Sequence, residues 1–499
     1  MIGLTRSMQL RKLFPGIDSP LGEIDVADIA SDSREVVPGG LFLACAGTRD
    51  HGLRFLDDAI RHGARVVAWE PQQDLPPPAL PDSVLGMHVP GLGRQVGEIA
   101  GRFFAQPSSQ VAVTGITGTN GKTTVAWVVA QALERLGEPS GYIGTLGSGI
   151  GMRIEADQLT TPGCVNLHRR LRRLANAGAR HVATEVSSHA LDQGRIAGVR
   201  FRVVAFTNLT RDHLDYHGDL ASYGRAKARL FLDTGAPEAV INVGDEFGRT
   251  LVARLPHGMR PTTVAVAGAA TGGIAPTLTM ARLGRELGGQ RLRLELGGET
   301  HDFATSLLGA FNVENLAVAA GILHALRFEA EAVAGALATV SAPPGRMELL
   351  PSRSGPRVVV DFAHTPDALS RVLSALREDA VGRLWCVFGC GGERDAGKRP
   401  LMGDAAAAIA DDIVLTDDNP RGEDPDRIVD AIRSGIPSHA SVSVIRDRAA
   451  AIRHAILAAA PADTVLIAGK GHEAVQIVGR ESRNFSDQQA AGLALAERA

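Results

Sequence analysis

Five of the 52 basic residues are lysine: Lys12, Lys122, Lys227, Lys398 and Lys470. Lysine offers a compact ammonium and, once deprotonated, a nucleophilic amine, and arginine supplies neither. In so arginine-rich a chain the surviving lysines are candidates for chemistry, Lys12 excepted, since it lies in no motif. Lys122 sits in VAVTGITGTNGKTT (111–124), an apolar run followed by a Gly-rich turn and the start of an amphipathic stretch. The amides of Gly118, Thr119, Asn120 and Gly121 can curl around a phosphate where a helix begins. Lys122 would then reach the β- and γ-phosphates and the Thr123 hydroxyl would take Mg²⁺, with Thr124 next in the helix. The strict G-x-x-x-x-G-K-[ST] pattern fails by one place, because Ile116 stands at its first glycine and Gly115 precedes it. The strand before and the helix after favour nucleotide binding, and on their own they indicate only ATP or GTP.

Other chemistry-bearing residues are scattered. Glu185 ends the strand-like stretch before Ser187 and Ser188 and offers a hard oxygen for Mg²⁺. His213 lies in the acidic segment RDHLDYHGD, and Lys227 follows on a helical stretch. Asn312 and Asn315 stand where a helix starts, Arg346 follows the turn SAPPGR, and Asp361 and His364 close the strand-like VVVDF. TDDNPRGEDP (416–425) turns at Pro420 and presents Arg421, whose planar fork suits a carboxylate. Each of these residues taken singly is also an ordinary cap or surface group. The later pairs Gly397-Lys398 and Gly469-Lys470 are not expected to precede a helix with phosphate-loop spacing. Cys386 and Cys390 have no partner pair and belong to the core rather than to a metal site.

The elements that must hold these residues are legible in outline. A chain of 499 residues corresponds to roughly three domains at ~150 residues each. With 44% hydrophobic and 21% charged residues it is globular, and 4% aromatics supply few platforms for single-stranded nucleic acid. A net charge of -3 argues against nucleic-acid or membrane-surface binding. Sparse cysteines, no apolar run of ~18 residues and no signal-peptide core lead to a cytoplasmic chain, starting at Met1 or Met8. RQVGEIAGRFFAQPSSQ predicts a helix stopping at Pro107, and Pro71–Pro81 an exposed loop. RLRLELGGETHDF predicts a hairpin around Gly297-Gly298. Beyond residue 343, RVVVDF, LWCVFG, DDIVLT, SVSVI and TVLIAG alternate with helical stretches, the pattern of βαβ units. The expected class is α/β in three domains: 1–107, 108–342 as a phosphate-loop ATPase with a mainly parallel sheet, and 343–499 as a Rossmann-like unit.

TGTNGKTT, with Asn120 in place of a loop glycine, resembles the signature of the Mur ligases and their folylpolyglutamate-synthase relatives, and the likeness extends in order along nearly the whole chain. Those enzymes join a carboxylate to an amine through an acyl phosphate formed from ATP. By resemblance, Thr123 and Glu185 hold one Mg²⁺, and His213 with Lys227, carbamylated by CO₂, a second. Asn312, Arg346 and Asp361 contact ATP from the C-terminal side, across a hinge that nucleotide binding would close. ASDSREVVPGGLFLACAGTRDHG is similar to the stretch that binds the uridine diphosphate of a UDP-muramoyl dipeptide, with Ser33 a contact and the Gly47–Gly52 turn near the diphosphate. Thr160, Thr161, Ser187, Gln193 and Arg195 match the muramoyl-dipeptide contacts. Asp418-Asn419-Pro420-Arg421 matches the diaminopimelate-adding members, with Arg394, Gly469 and Glu473 completing the amino-acid pocket. Diaminopimelate is lysine with one more carboxylate, and a site built to pair that group rejects the analogue lacking it. The resemblance implies a monomer acting on small molecules. A ligase using another amine, and a nucleotide switch or transport ATPase with no amino-acid substrate, are the alternatives; the Arg421 motif speaks against the first and Lys227 against the second.

Overall fold

Val358 and Val360 turn to one face of their strand and Val359 to the other, and all three are fully buried. Successive side chains alternate across a strand, so a strand apolar at every position must be covered on both faces. In the computed structural model the strands Arg357–Asp361, Thr464–Ala468, Leu384–Phe388, Asp412–Leu415 and Ser441–Val444 lie in that order, all parallel. The short antiparallel strand Glu348–Leu349 borders the first. Leu369, Leu373 and Leu376 of the helix Pro366–Asp379 cover one face, and Ile452 and Ile456 of the helix Arg448–Ala458 the other. All five predicted strands are present.

The structure describes residues 7–17, 19–47, 50–72, 76–151, 153–157, 159–286, 289–352 and 355–498. Met1, residues 48 and 49 of the expected diphosphate turn, and residues 73–75 of the Pro-rich stretch lie outside them. The chain divides into two compact units. One comprises the described residues of Met1–Val264, Ala270–Pro276 and Gly321–Arg327, the other those of Ala265–Ala269, Thr277–Ala320 and Phe328–Ala499.

The first unit carries a four-stranded parallel sheet, Ile29–Ala30, Gly40–Ala44, Ala64–Trp69 and Leu85–His88. The helix Leu92–Phe103 packs Val96, Ile99 and Ala100 against it. That helix ends ahead of Pro107, where Ala105 and Gln106 both take positive φ. A larger sheet follows, with parallel neighbours in the order Ser140–Gly144, His181–Glu185, Ala112–Thr117, Phe201–Phe206, Glu238–Asn242 and Arg260–Val266. The strand before the phosphate loop is thus central, with strands from later in the chain, His181–Glu185 and Phe201–Phe206, on its two sides; at such a switch point the strand ends leave a crevice for a ligand. In the second unit the hairpin Gly289–Leu296 and Glu299–Thr305 turns at Gly297-Gly298, as expected.

One expectation fails. Gly397-Lys398 does open a helix, Lys398–Ala407, and Gly392 stands where the first glycine of a phosphate loop would. Pro400 lies in its first turn, where proline is tolerated because no N–H partner is needed. Arg399 replaces the loop hydroxyl, is buried, and pairs through both terminal nitrogens with Glu423 at 2.6 and 2.7 Å.

Candidate active site

The phosphate loop is shaped by backbone that only glycine adopts freely. Gly118 has φ +152 and a Cβ there would collide with Thr207 Oγ1; Gly121 has φ +84 and starts the helix Lys122–Arg135. The segment 207–210 braces the loop: Thr119 N donates to Asn208 O at 2.8 Å, Asn120 N to Asn208 Oδ1 at 2.9 Å, and Thr207 Oγ1 to Asn120 O at 2.6 Å. Lys122 Nζ folds back onto Gly118 O and Thr119 O, both at 2.9 Å. Thr123 is buried and Thr124 half-buried in the first turn.

Glu185, fully buried at the end of the adjoining strand, joins this loop. Its carboxylate accepts from Thr123 Oγ1 at 2.9 Å, Tyr142 OH at 2.5 Å, Thr145 N at 2.8 Å and Thr145 Oγ1 at 3.1 Å. Lys227 is 1% exposed; its Nζ donates to Gly118 O at 2.7 Å and lies 4.2 Å from the Tyr223 ring centroid. Burial, and then the charge of Lys122, hold its pKa well below the usual lysine value. His213, half-exposed at φ +51, packs against His189 at 4.8 Å and Tyr223 at 6.1 Å. His189 also stacks with Tyr216 and His217, and its pKa is lowered by burial first and then by its histidine neighbours.

The expected dipeptide contacts form one chain beside Glu185. Thr160 Oγ1 meets Thr145 Oγ1 at 3.1 Å, and Thr161 Oγ1 donates to Glu185 O at 2.8 Å while accepting from Ser187 N at 3.0 Å. Arg195 donates to Thr161 O at 3.0 Å and through Nε and Nη2 to Gln193 Oε1 at 2.9 and 2.6 Å. Ser33 stands apart from this chain, donating to Asp58 Oδ2 at 2.8 Å in the N-terminal layer.

The second unit gathers the amino-acid residues. Arg421, at φ +52, donates through Nη1 to Gly392 O at 2.9 Å, and its backbone bonds to Ile477 and Gly479 of the neighbouring hairpin. Asn419 Nδ2 donates to Glu473 Oε2 at 2.9 Å. Asp418 is buried, which raises its pKa, and lies under Gly469, where φ is +115 and a Cβ would come within 2.9 Å of Asp418 Oδ2. Pro420 is buried, and Arg394 is exposed on the turn after Gly392. Three nucleotide candidates also lie in this unit. Asn312 Nδ2 caps toward Leu308 O at 2.7 Å, Asp361 accepts from the amides of Met347 and Ala363 at 2.7 Å each, and Arg346 lies over the Phe362 ring at 4.7 Å. Cys386 and Cys390 are buried core thiols, the latter pushed up to about 11 by burial.

Residues 25–104 match the Mur ligase family catalytic domain, 116–323 the Mur ligase middle domain and 345–471 the Mur ligase glutamate ligase domain. The chain belongs to the Mur ligase family. This Mur ligase is 48% identical over 502 residues to the UDP-N-acetylmuramoyl-L-alanyl-D-glutamate–2,6-diaminopimelate ligase of Alkalilimnicola ehrlichii, covering 98% of the present chain and 99% of that one. It is 46% identical to the enzyme of the same name from Xanthomonas campestris, over 99% of both chains. A solved structure of a ligase of that name superposes with a TM-score of 0.73 at 32% identity over 99% of each chain. MurF from Acinetobacter baumannii, at 16% identity and TM-score 0.64 over 93% of this chain and 96% of that one, shares the fold.

Several residues packed around the candidate site escape sequence reasoning. The 207–210 brace and the His189–Tyr216–His217 stack had one usable signal, the density of polar and aromatic residues in FTNLTRDHLDYHG. Lys470 was conspicuous only as a rare lysine, and its partners lie 51 and 3 positions away.

Proposed function

We propose that this Mur ligase uses ATP to join 2,6-diaminopimelate to UDP-N-acetylmuramoyl-L-alanyl-D-glutamate, in the cytoplasm and as a monomer, for peptidoglycan precursor synthesis. The observation that carries this is the similarity, at 48% and 46% identity and nearly full length, to enzymes of that name. The proposed divisions are 1–107 for the UDP-muramoyl end, 108–342 for ATP and 343–499 for the amino acid; each contains one of the matched domains.

A carboxylate oxygen of the dipeptide attacks the γ-phosphorus, the bond to the β-phosphate oxygen breaks, and ADP leaves behind an acyl phosphate. The neutral amine of diaminopimelate then attacks the acyl carbon, its nitrogen loses a proton, and phosphate departs with the original carboxylate oxygen. Gly118 to Thr124 cradle the phosphates and Lys122 follows the charge of the transferring group. Asn312, Arg346 and Asp361 contact the nucleotide. Ser33 holds the uridine diphosphate, with Thr160, Thr161, Ser187, Gln193 and Arg195 on the muramoyl dipeptide. Arg394, Asp418, Asn419, Pro420, Arg421, Gly469 and Glu473 hold the diaminopimelate.

Thr123 and Glu185 fit Mg²⁺: they present hard oxygens 2.9 Å apart beside the loop, and this ion needs only one or two protein ligands when phosphates supply the rest. Lys227 fits a carbamate, because burial disfavours its charged form and CO₂ requires the neutral amine. The N–C bond forms and a proton leaves, and the resulting anion would join His213 at a second ion. Bound Mg²⁺ would neutralise charge on the phosphoryl oxygens.

Phosphate release from ATP with the UDP-muramoyl dipeptide, adding meso-diaminopimelate or L-lysine in parallel, tests the proposal. Release with diaminopimelate alone is expected. Release with lysine to the same extent overturns the amine assignment, and release needing no amine overturns the ligase.

A further inference from the structure

Asn419 and Glu473 could face an amino acid in several ways, since an amide has two ends and a carboxylate two oxygens. Here both are set. Lys470, fully buried, donates to Asn419 Oδ1 at 3.1 Å and to Glu473 Oε2 at 3.1 Å, and lies 3.7 Å from Asp418 Oδ1. The backbone N–H of Ile477 also donates to Asn419 Oδ1, at 2.9 Å. Two groups that can only donate therefore fix the amide oxygen on their side, and the Asn419 NH₂ must point to Glu473 Oε2, which it meets at 2.9 Å. One Glu473 oxygen thus takes two donors, whereas Oε1 takes none from the described residues, and the side chain is 35% exposed.

We propose that Lys470 is the positioning residue of the amino-acid pocket: it fixes the flip of Asn419 and the rotation of Glu473, so that one carboxylate oxygen is held ready for the substrate's ammonium. This rests on the diaminopimelate reading above. Lys470 is also within ion-pair distance of both acidic groups, 3.7 Å from Asp418 Oδ1 and 3.1 Å from Glu473 Oε2, so one buried ammonium sets the charge beside both. Arginine cannot replace it, because a planar fork does not fit the place of a point-like ammonium among three acceptors.

The test compares Lys470→Met and Lys470→Arg with the wild type, measuring KM for diaminopimelate, ATP and the UDP-muramoyl dipeptide separately. We expect KM for diaminopimelate to rise about 10-fold or more in Lys470→Met and several-fold in Lys470→Arg, with the other two KM values within about 2-fold. Glu473→Gln should cost less in the Lys470→Met background than in the wild type, because groups acting as a unit are non-additive. If Lys470→Met does not fold, Lys470→Arg alone decides. An unchanged KM for diaminopimelate, or an equal rise in all three, overturns the positioning role. A wild type that turns over no diaminopimelate overturns the reading beneath it instead, which keeps the two failures apart.

Discussion

The phosphate loop and the proposed amino-acid pocket, each assigned a charged ligand under the proposed function, are built by opposite means. The loop relies on backbone: Gly118 and Gly121 set its path, and its one cation, Lys122, rests on the loop's own carbonyls 2.9 Å away. The pocket relies on side chains held from behind. Lys470 and Ile477 N occupy one end of Asn419, Glu473 takes the other, and Gly392 O holds one terminal nitrogen of Arg421. Under the proposed function, a backbone cradle would take any nucleoside triphosphate that fits, whereas a pocket of propped side chains would discriminate between amino acids. Generic chemistry and specificity are thus built from different materials in one chain.

The largest effect should come from the loop. Lys122→Met removes the charge that follows the transferring phosphoryl group, and kcat should fall by about 10³-fold with little change in KM for diaminopimelate; a loss confined to that KM would break the comparison. Lys227→Ala comes next, with a fall of about 10²- to 10³-fold that a short-chain carboxylate partly restores. Full activity of that variant would remove the carbamate from the mechanism.

Arg421→Ala should raise KM for diaminopimelate by about 10²-fold, leave KM for ATP unchanged, and shrink the preference over lysine. An unchanged amino-acid KM would show that the pocket is elsewhere. The smallest effect is one of stability. Glu423 is held at about 2, below the ordinary 4.5, chiefly by Arg399 and then by the Glu393 amide. A depressed carboxylate stabilises the fold fully above pH 4.5 and loses that contribution as pH falls toward 2. Glu423→Gln should therefore melt a few degrees lower at neutral pH, by roughly the 2–4 °C of a modest ion pair, and the gap should close between pH 4.5 and 2.

The same contrast explains what the sequence revealed. The phosphate loop is contiguous, so strand, turn and helix could be read together in residues 111–124, and the alternating strands beyond residue 343 announced a parallel sheet. Arg421 was visible because its planar fork, suited to a carboxylate, sits in a turn motif. Lys470 with Asn419, and Gln193 with Tyr216, were not, because such pairs exist only after the sheet has brought separate strand ends together. The Gly397-Lys398 pair was misread: it opens the helix Lys398–Ala407, whose first turn accommodates Pro400.

The central claim is that phosphate leaves with an oxygen that began on the dipeptide. UDP-muramoyl dipeptide carrying ¹⁸O in its glutamate side-chain carboxylate, incubated with ATP, Mg²⁺ and meso-diaminopimelate, tests this by mass spectrometry of the released phosphate. An acyl phosphate route puts one ¹⁸O in each phosphate and leaves one in the amide. Unlabelled phosphate formed alongside an amide product would contradict it.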